Sequence, residues 1–313
     1  RDRWQLPDGR IAMAALPPGV DGHFGSELRR LVLLLYHQGQ STVERIVALL
    51  RDIGVSISKR QVVRILTGGI DAFVREANQV LGAGLATARW VSVDDTGARH
   101  RAVNSICTQI GNDRFAVFST TASKSRLNFL RLLHAGAGSA ARWVLNTASR
   151  AYMLERGLPV STTENLHGAR HAAGSPREPC ACVFADETSW NAYLRAHGLE
   201  PKRGPLDPFH IASEGALWGG LVQAKTLEGT VILSDGAGQF VVGEHARCWV
   251  HMERQIHALD SFSDRQHRAK VRIQSRIWWL YKDIKASCRE PIPGRRRARQ
   301  LARRFDRIVG TKT

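Results

Sequence analysis

Long apolar runs are missing from this chain of 313 residues. A run such as Leu31 to Leu35 is far short of the roughly 18 residues that cross a membrane. A secretory leader is not expected either, because Arg1-Asp2-Arg3-Trp4 is polar and no apolar segment follows it. No methionine opens the chain, as expected of a piece of a longer protein. Cysteines are few and odd in number: five, at 107, 180, 182, 248 and 288. That scatter excludes a disulfide framework and points to a reducing, cytoplasmic setting. Internal repeats and low-complexity blocks are also lacking. Acidic residues are scarce beside basic ones, 28 against 45, which leaves a formal charge of +17 and a pI near 10.6. Such a surplus favours a polyanionic partner, nucleic acid first among them. A hydrophobic content of 43% supports real cores and excludes a disordered chain.

The hydrophobic period divides the chain. Residues 1–25 are rich in Gly and Pro and read as an extended arm. Residues 26–85 read as helical. Glu27 to His37 carries Leu28, Leu31, Val32 and Leu35 at helical spacing. Ser41-Thr42-Val43-Glu44 and Ser58-Lys59-Arg60-Gln61 read as capping boxes, each opening a short helix, with Gly54 between them. This is a helix-turn-helix pattern, and Lys59, Arg60 and Arg64 are its candidate DNA contacts. Ile70 to Leu81 is a further helix.

Near residue 89 the period shortens to two. Arg89 to Asp95, Val103 to Ile110 and Arg114 to Thr120 read as three strands, followed by a helix over Ser123 to His134. Residues 136–213 read as an insertion with a small core of its own and a loop over Leu166 to Pro179. Beyond it come a helix over Glu214 to Thr226, a strand over Thr230 to Asp235 and helices over Ala246 to Leu259 and Ser263 to Lys285. A last basic helix opens at Arg295-Arg296-Arg297.

Two of the strands end on acids, Asp94 and Asp235, 141 residues apart. Acids at strand ends of an α/β sheet face a crevice. Two carboxylates brought together there repel unless a divalent cation such as Mg²⁺ or Mn²⁺ lies between them, and such pairs serve phosphodiester chemistry. The order strand-strand-strand-helix-insertion-strand agrees with a ribonuclease H-like mixed sheet. The expected fold is therefore α/β: a helical domain at 26–85, a sheet core split between 86–135 and 214–262 by the insertion at 136–213, and basic C-terminal helices over 263–313.

Three ordered motifs make the reading specific. Val93-Asp94-Asp95-Thr96 resembles the "A-D-E-T" segment of insertion-sequence-66-type transposases. Val231-Ile232-Leu233-Ser234-Asp235-Gly236 resembles their "V-L-V-S-D-G". Cys248-Trp249-Val250-His251-Met252-Glu253-Arg254 resembles the "C-W-A-H-x-R-R" that follows. The resemblance covers 26–134 and 214–313. It implies a DDE-type transposase in which Asp94 and Asp235 are the first two catalytic, metal-holding acids. It also implies double-stranded DNA as partner, at transposon ends and target, and an oligomer on that DNA in the bacterial nucleoid. Asp95 departs from the family's Glu. The third acid of that family lies well beyond the equivalent of Arg304-Phe305-Asp306-Arg307, so a chain ending at Thr313 is expected to lack it. Glu253 and Glu290 are the in-chain candidates for its place, but Glu253 reads rather as a surface residue or DNA contact and Glu290 lies in a loop before Pro291, so the fragment is expected to be catalytically incomplete. His251 and Arg254, one helical turn apart, and Arg295, Arg296 and Arg297 are further candidate DNA contacts. The alternative is a non-catalytic DNA-binding protein, a helix-turn-helix joined to a truncated nuclease-like domain.

Three look-alikes remain. Phe184-Ala185-Asp186-Glu187-Thr188 matches "A-D-E-T" more closely, but a helix pattern follows at once and Asp186 reads as an N-cap. Cys180-Ala181-Cys182, with Cys248 and its flanking histidines, lacks usual zinc spacing. Trp278-Trp279 reads as packing rather than a base-stacking platform.

Overall fold

The structure, a computed structural model, describes residues 3–15, 24–100, 102–136, 142–168, 182–202, 204, 207–290 and 294–310. The chain forms two units, Arg1–Glu76 and Ala77–Thr313. Among the described residues no helix is long and apolar enough to cross a membrane.

The first unit opens with a hairpin, β1 (Arg3–Gln5) and β2 (Ile11–Met13), where an extended arm was expected. The turn closes because Asp8 accepts the Arg10 N–H and its guanidinium, which holds the Asp8 carboxyl below its ordinary range. Residues 16–23 of the expected arm lie outside the described set. Helix α1 (Ser26–Leu33) runs into a π-helical turn, Leu34–Gln38. Helix α2 (Val43–Asp52) starts one residue later than a Ser41 cap would have it: the Thr42 hydroxyl accepts the Arg45 N–H. Helix α3 (Lys59–Thr67) opens with the full Ser58–Gln61 capping box. Val32, Ile46, Val47, Leu50, Ile57 and Val62 form this unit's core.

Helix α4 (Asp71–Thr87) crosses the division, and its Leu81 and Leu85 belong to the core of the second unit. A mixed sheet organises that unit: β3 (Trp90–His100), β4 (Val103–Gly111), β5 (Ala116–Thr121), β8 (Val231–Ser234) and β9 (His245–Arg247), in the order β5-β4-β3-β8-β9. The meander β3-β4-β5 is antiparallel, whereas β3, β8 and β9 run parallel. Strand β9 corrects the expected helix over Ala246 to Leu259. Its backbone pairs with Ile232 to Ser234, and the helix α10 (Trp249–His257) starts only after it.

Between the two halves of the sheet lie α5 (Arg126–Gly136), β6 (Trp143–Leu145), α6 (Thr147–Glu155), α7 (Val160–His167), β7 (Cys182–Phe184), α8 (Glu187–Ala196) and α9 (Pro208–Gln223). Helix α7 occupies part of what reads as loop in the sequence; residues 169–181 lie outside the described set. Among the described residues this region has no separate core. Met153, Leu166, Trp190 and Leu217 join Val91, Ile110, Leu130 and Ile232 in one cluster. The reason is α9, which is buried nearly all round. Gly219 and Gly220 let its backbone reach the strand before α6: a Cβ on either would collide with the carbonyl oxygens of Val144 and Arg142. Finally, α11 (Asp264–Ser287) and α12 (Arg295–Val309) pack with α10 through Ile277, Leu280, Leu301 and Ile308.

Candidate functional site: the Asp94–Asp235 crevice

Side chains alternate along β3. Val91 and Val93 are buried in the core, and Asp94 is exposed on the other face. Asp94 is mid-strand rather than at a strand end, because β3 continues to His100 against β4. Its parallel partner is shorter. Pairing with β8 runs from Trp90↔Val231 to Ser92↔Leu233 and then stops. That register has an offset of 141, the separation of Asp94 from Asp235. Carried two residues past the last pair, that register sets Asp94 of β3 opposite Asp235, the first residue after β8. Adjacent strands lie about 4.8 Å apart while paired.

The turn after β8 is tightly specified. The Asp235 carboxylate Oδ1 accepts the Ala237 N–H at 2.8 Å. Gly236 takes φ +92, where a side chain would be strained. The Ser234 hydroxyl accepts the Gly236 N–H at 3.1 Å and lies 2.9 Å from His245 Nε2. Burial and then the neighbouring Arg247 lower the His245 pKa, against the opposing pull of Asp235. Asp94 Oδ1 accepts the N–H of Asp95 at 2.9 Å. Each aspartate thus uses Oδ1 to hold its own backbone, and neither Oδ2 has a protein partner among the described residues.

Asp95 has a different job. It points to the core side of the sheet, where its carboxylate accepts the Thr108 hydroxyl at 2.5 Å and the Gln239 amide at 2.9 Å. Gln239 lies in the short 3₁₀ turn Gly238–Phe240, so Asp95 ties the loop after Asp235 back to β3. Below that turn sits a buried charge network. Arg126 donates to the Gly238 carbonyl and lies 3.5 Å from Glu214, with the two side chains only 9% and 13% exposed. Tyr152 donates to Glu214 at 2.9 Å, and burial, reinforced by that carboxylate, pushes its hydroxyl pKa up. Phe240 meets Phe129 edge-on at 5.1 Å. Gln239, Thr108, Arg126, Glu214 and Tyr152 carry no local sequence signal as a set, since Arg126 and Gly238 are 112 residues apart.

The uncharacterized protein y4jO of Sinorhizobium fredii (strain NBRC 101917 / NGR234) is 37% identical to this chain over 234 residues, 75% of this chain and 68% of that protein. The chain belongs to the y4jO family. No protein-family profile and no solved structure matches it.

In this member of the y4jO family the other candidates are dispersed. Lys59 is ion-paired with Glu44 at 3.0 Å, while Arg60 and Arg64 are exposed on α3. His251 is half-buried, and its Nδ1 is buried without a partner among the described residues; Arg254 is exposed. Arg295, Arg296 and Arg297 are exposed in the first turn of α12, where no acidic residue balances them. Glu253 accepts from Gln274 at 2.7 Å on the α10–α11 packing face, and Glu290 is exposed beyond α11. Asp186 caps α8 by accepting the Ser189 N–H, which lowers its pKa. Among the described residues no three His, Cys, Asp or Glu side chains form a metal-binding group. Cys180 of the cysteine pair lies outside the described set, and Cys182 is exposed and free.

Proposed function

We infer that this chain is part of a DDE-type DNA transposase with a ribonuclease H-like sheet and a helix-turn-helix in its first unit. One observation carries the reading: the register that pairs β3 with β8, carried two residues past Ser92↔Leu233, sets Asp94 opposite Asp235 in a sheet ordered β5-β4-β3-β8-β9. The donor set suits a hard cation, for it is all oxygen and leaves one carboxylate oxygen of each aspartate uncommitted. Asp94 and Asp235 would hold Mg²⁺ or Mn²⁺, which when bound supplies activation of the attacking oxygen and stabilisation of the leaving one in phosphodiester cleavage and strand transfer. The chain's own residues set the positions of both acids. Asp95, through Gln239, and Arg126, through the Gly238 carbonyl, fix the loop that follows Asp235. Net charge +17 supports double-stranded DNA as the substrate. Three arginines in the first turn of α12 oppose its helix dipole, an arrangement that a phosphate backbone relieves. Action on two DNA ends would call for an oligomer on DNA, within the nucleoid.

A second reading is a DNA-binding protein without catalysis. The observation that favours it is the lack, among the described residues, of a third ligand beside the two aspartates. Duplex binding with and without divalent cation separates the two. In the transposase reading Mn²⁺ strengthens binding to the wild-type chain, and Asp94→Asn or Asp235→Asn removes that gain while binding in EDTA persists. If Mn²⁺ changes nothing in any of the three proteins, the non-catalytic reading replaces the first.

A further inference from the structure

The C-terminal helices hold a disproportionate share of the basic charge. Residues 263–310 contain fifteen Lys and Arg against four Asp and Glu. On α11, Arg265, Arg268, Arg272, Arg276 and Trp279 follow one another at spacings of 3, 4, 4 and 3 residues, which keeps them on one face. All five are exposed, and among the described residues none of the four guanidiniums is ion-paired. Asp283, the acid that interrupts this face, is neutralised by Arg304 of α12. The apolar seam of the helix, Ile273, Ile277, Leu280 and Ile284, lies elsewhere and packs on α10 and α12. Trp279 stays 59% exposed, although its neighbour Trp278 is half-buried against Tyr281. Burial of a Trp is favourable, so one left out on a rigid helix among arginines lacks a covering surface.

We propose that this face of α11 binds an unpaired nucleic-acid strand, with Trp279 stacking on a base and the arginines following the backbone. The face from Arg265 to Trp279 spans about 21 Å at 1.5 Å per residue, enough for several nucleotides. Charge selects a polyanion, and the indole selects an unpaired strand, because a duplex hides the base faces on which an aromatic ring stacks. The inference shares its polymer with the transposase reading but none of its aspartates, and it is tested in EDTA so that either fails alone.

The test uses the full chain, a fluorescein-labelled 20-nucleotide oligo-dT and a labelled 20-base-pair duplex. Trp279→Ala is expected to weaken oligo-dT binding about tenfold and leave the duplex within about twofold. Trp279→Phe retains most of the lost affinity. The double variant Arg272→Ala, Arg276→Ala weakens both and makes the salt dependence for oligo-dT shallower, by about 1.4 in log–log slope. Equal loss on both nucleic acids with Trp279→Ala would leave charge alone and overturn the stacking. No loss on either, or no oligo-dT binding by the wild-type chain, overturns the proposal.

Discussion

The second unit uses arginine in two opposite ways. Beneath the Asp235 turn a single arginine, Arg126, is buried with its carboxylate partner Glu214 and fastened to a carbonyl. Along α11 and α12 the arginines are many and exposed, held on a thin apolar seam. Water decides the difference. A buried ion pair is barely screened by salt, and neither partner can be removed without stranding the other. Exposed arginines on a helix face contribute almost nothing to folding and are open to a partner. Positional accuracy is thus concentrated around the crevice, and the capacity to attract polyanions is concentrated at the C-terminal end.

Breaking the buried side of this comparison should have the largest effect. Arg126→Met strands Glu214 and frees the Gly238 carbonyl, and a loss of about 3–5 kcal/mol is expected in urea unfolding. A loss under about 1 kcal/mol would mean that the network does not hold the loop. Gly219→Ala tests the other support, the close seat of α9 on the Val144 backbone. Overpacking there should cost about 1–3 kcal/mol in urea unfolding. Asp95→Asn loses charge-assisted bonds from Thr108 and Gln239, for about 1–3 kcal/mol. Asp94→Asn, one residue away but facing solvent, should fall within about 0.5 kcal/mol of wild type. Equal costs at 94 and 95 would erase the contrast between the two.

The smallest effect concerns pH. His134 is buried, and burial lowers its pKa from 6.5, against its hydrogen bond to the Leu217 carbonyl. A histidine lowered in the folded state binds its proton first in the unfolded chain. Its contribution is therefore complete above pH 6.5 and is lost as pH falls below that value toward the folded one. His245 acts in the same direction. His134→Gln should flatten the decline in melting temperature between pH 7 and pH 5. An unchanged slope would assign the decline to other groups.

Local signals carried much of this architecture. The Ser58–Gln61 capping box and the alternation that marks β3 to β5 are readable because each depends on neighbours in sequence. Thr42 replaced Ser41 as a cap because two adjacent hydroxyls offer the same chemistry. Strand β9 was hidden because three residues are too few to show alternation. The shared core of 136–213 was hidden because α9 is buried nearly all round and shows no preferred apolar face. Asp235 was legible as a residue at the end of a strand, whereas Asp94 is mid-strand because β3 continues to His100 against β4, and the 141-residue offset is set by β3–β8 pairing. The opposed roles of Asp94 and Asp95 come from pleat direction, and the Arg126 network from contacts across more than eighty residues.

Asp94 and Asp235 are proposed to form one site. Crystals of the chain soaked in Mn²⁺ and measured at the manganese edge test it most directly. An anomalous peak shared by the two carboxylates is expected, at the roughly 2.0–2.3 Å of oxygen-ligated divalent cations, together with its loss in Asp235→Asn. A peak at Asp186 alone, or none between Asp94 and Asp235, would contradict it.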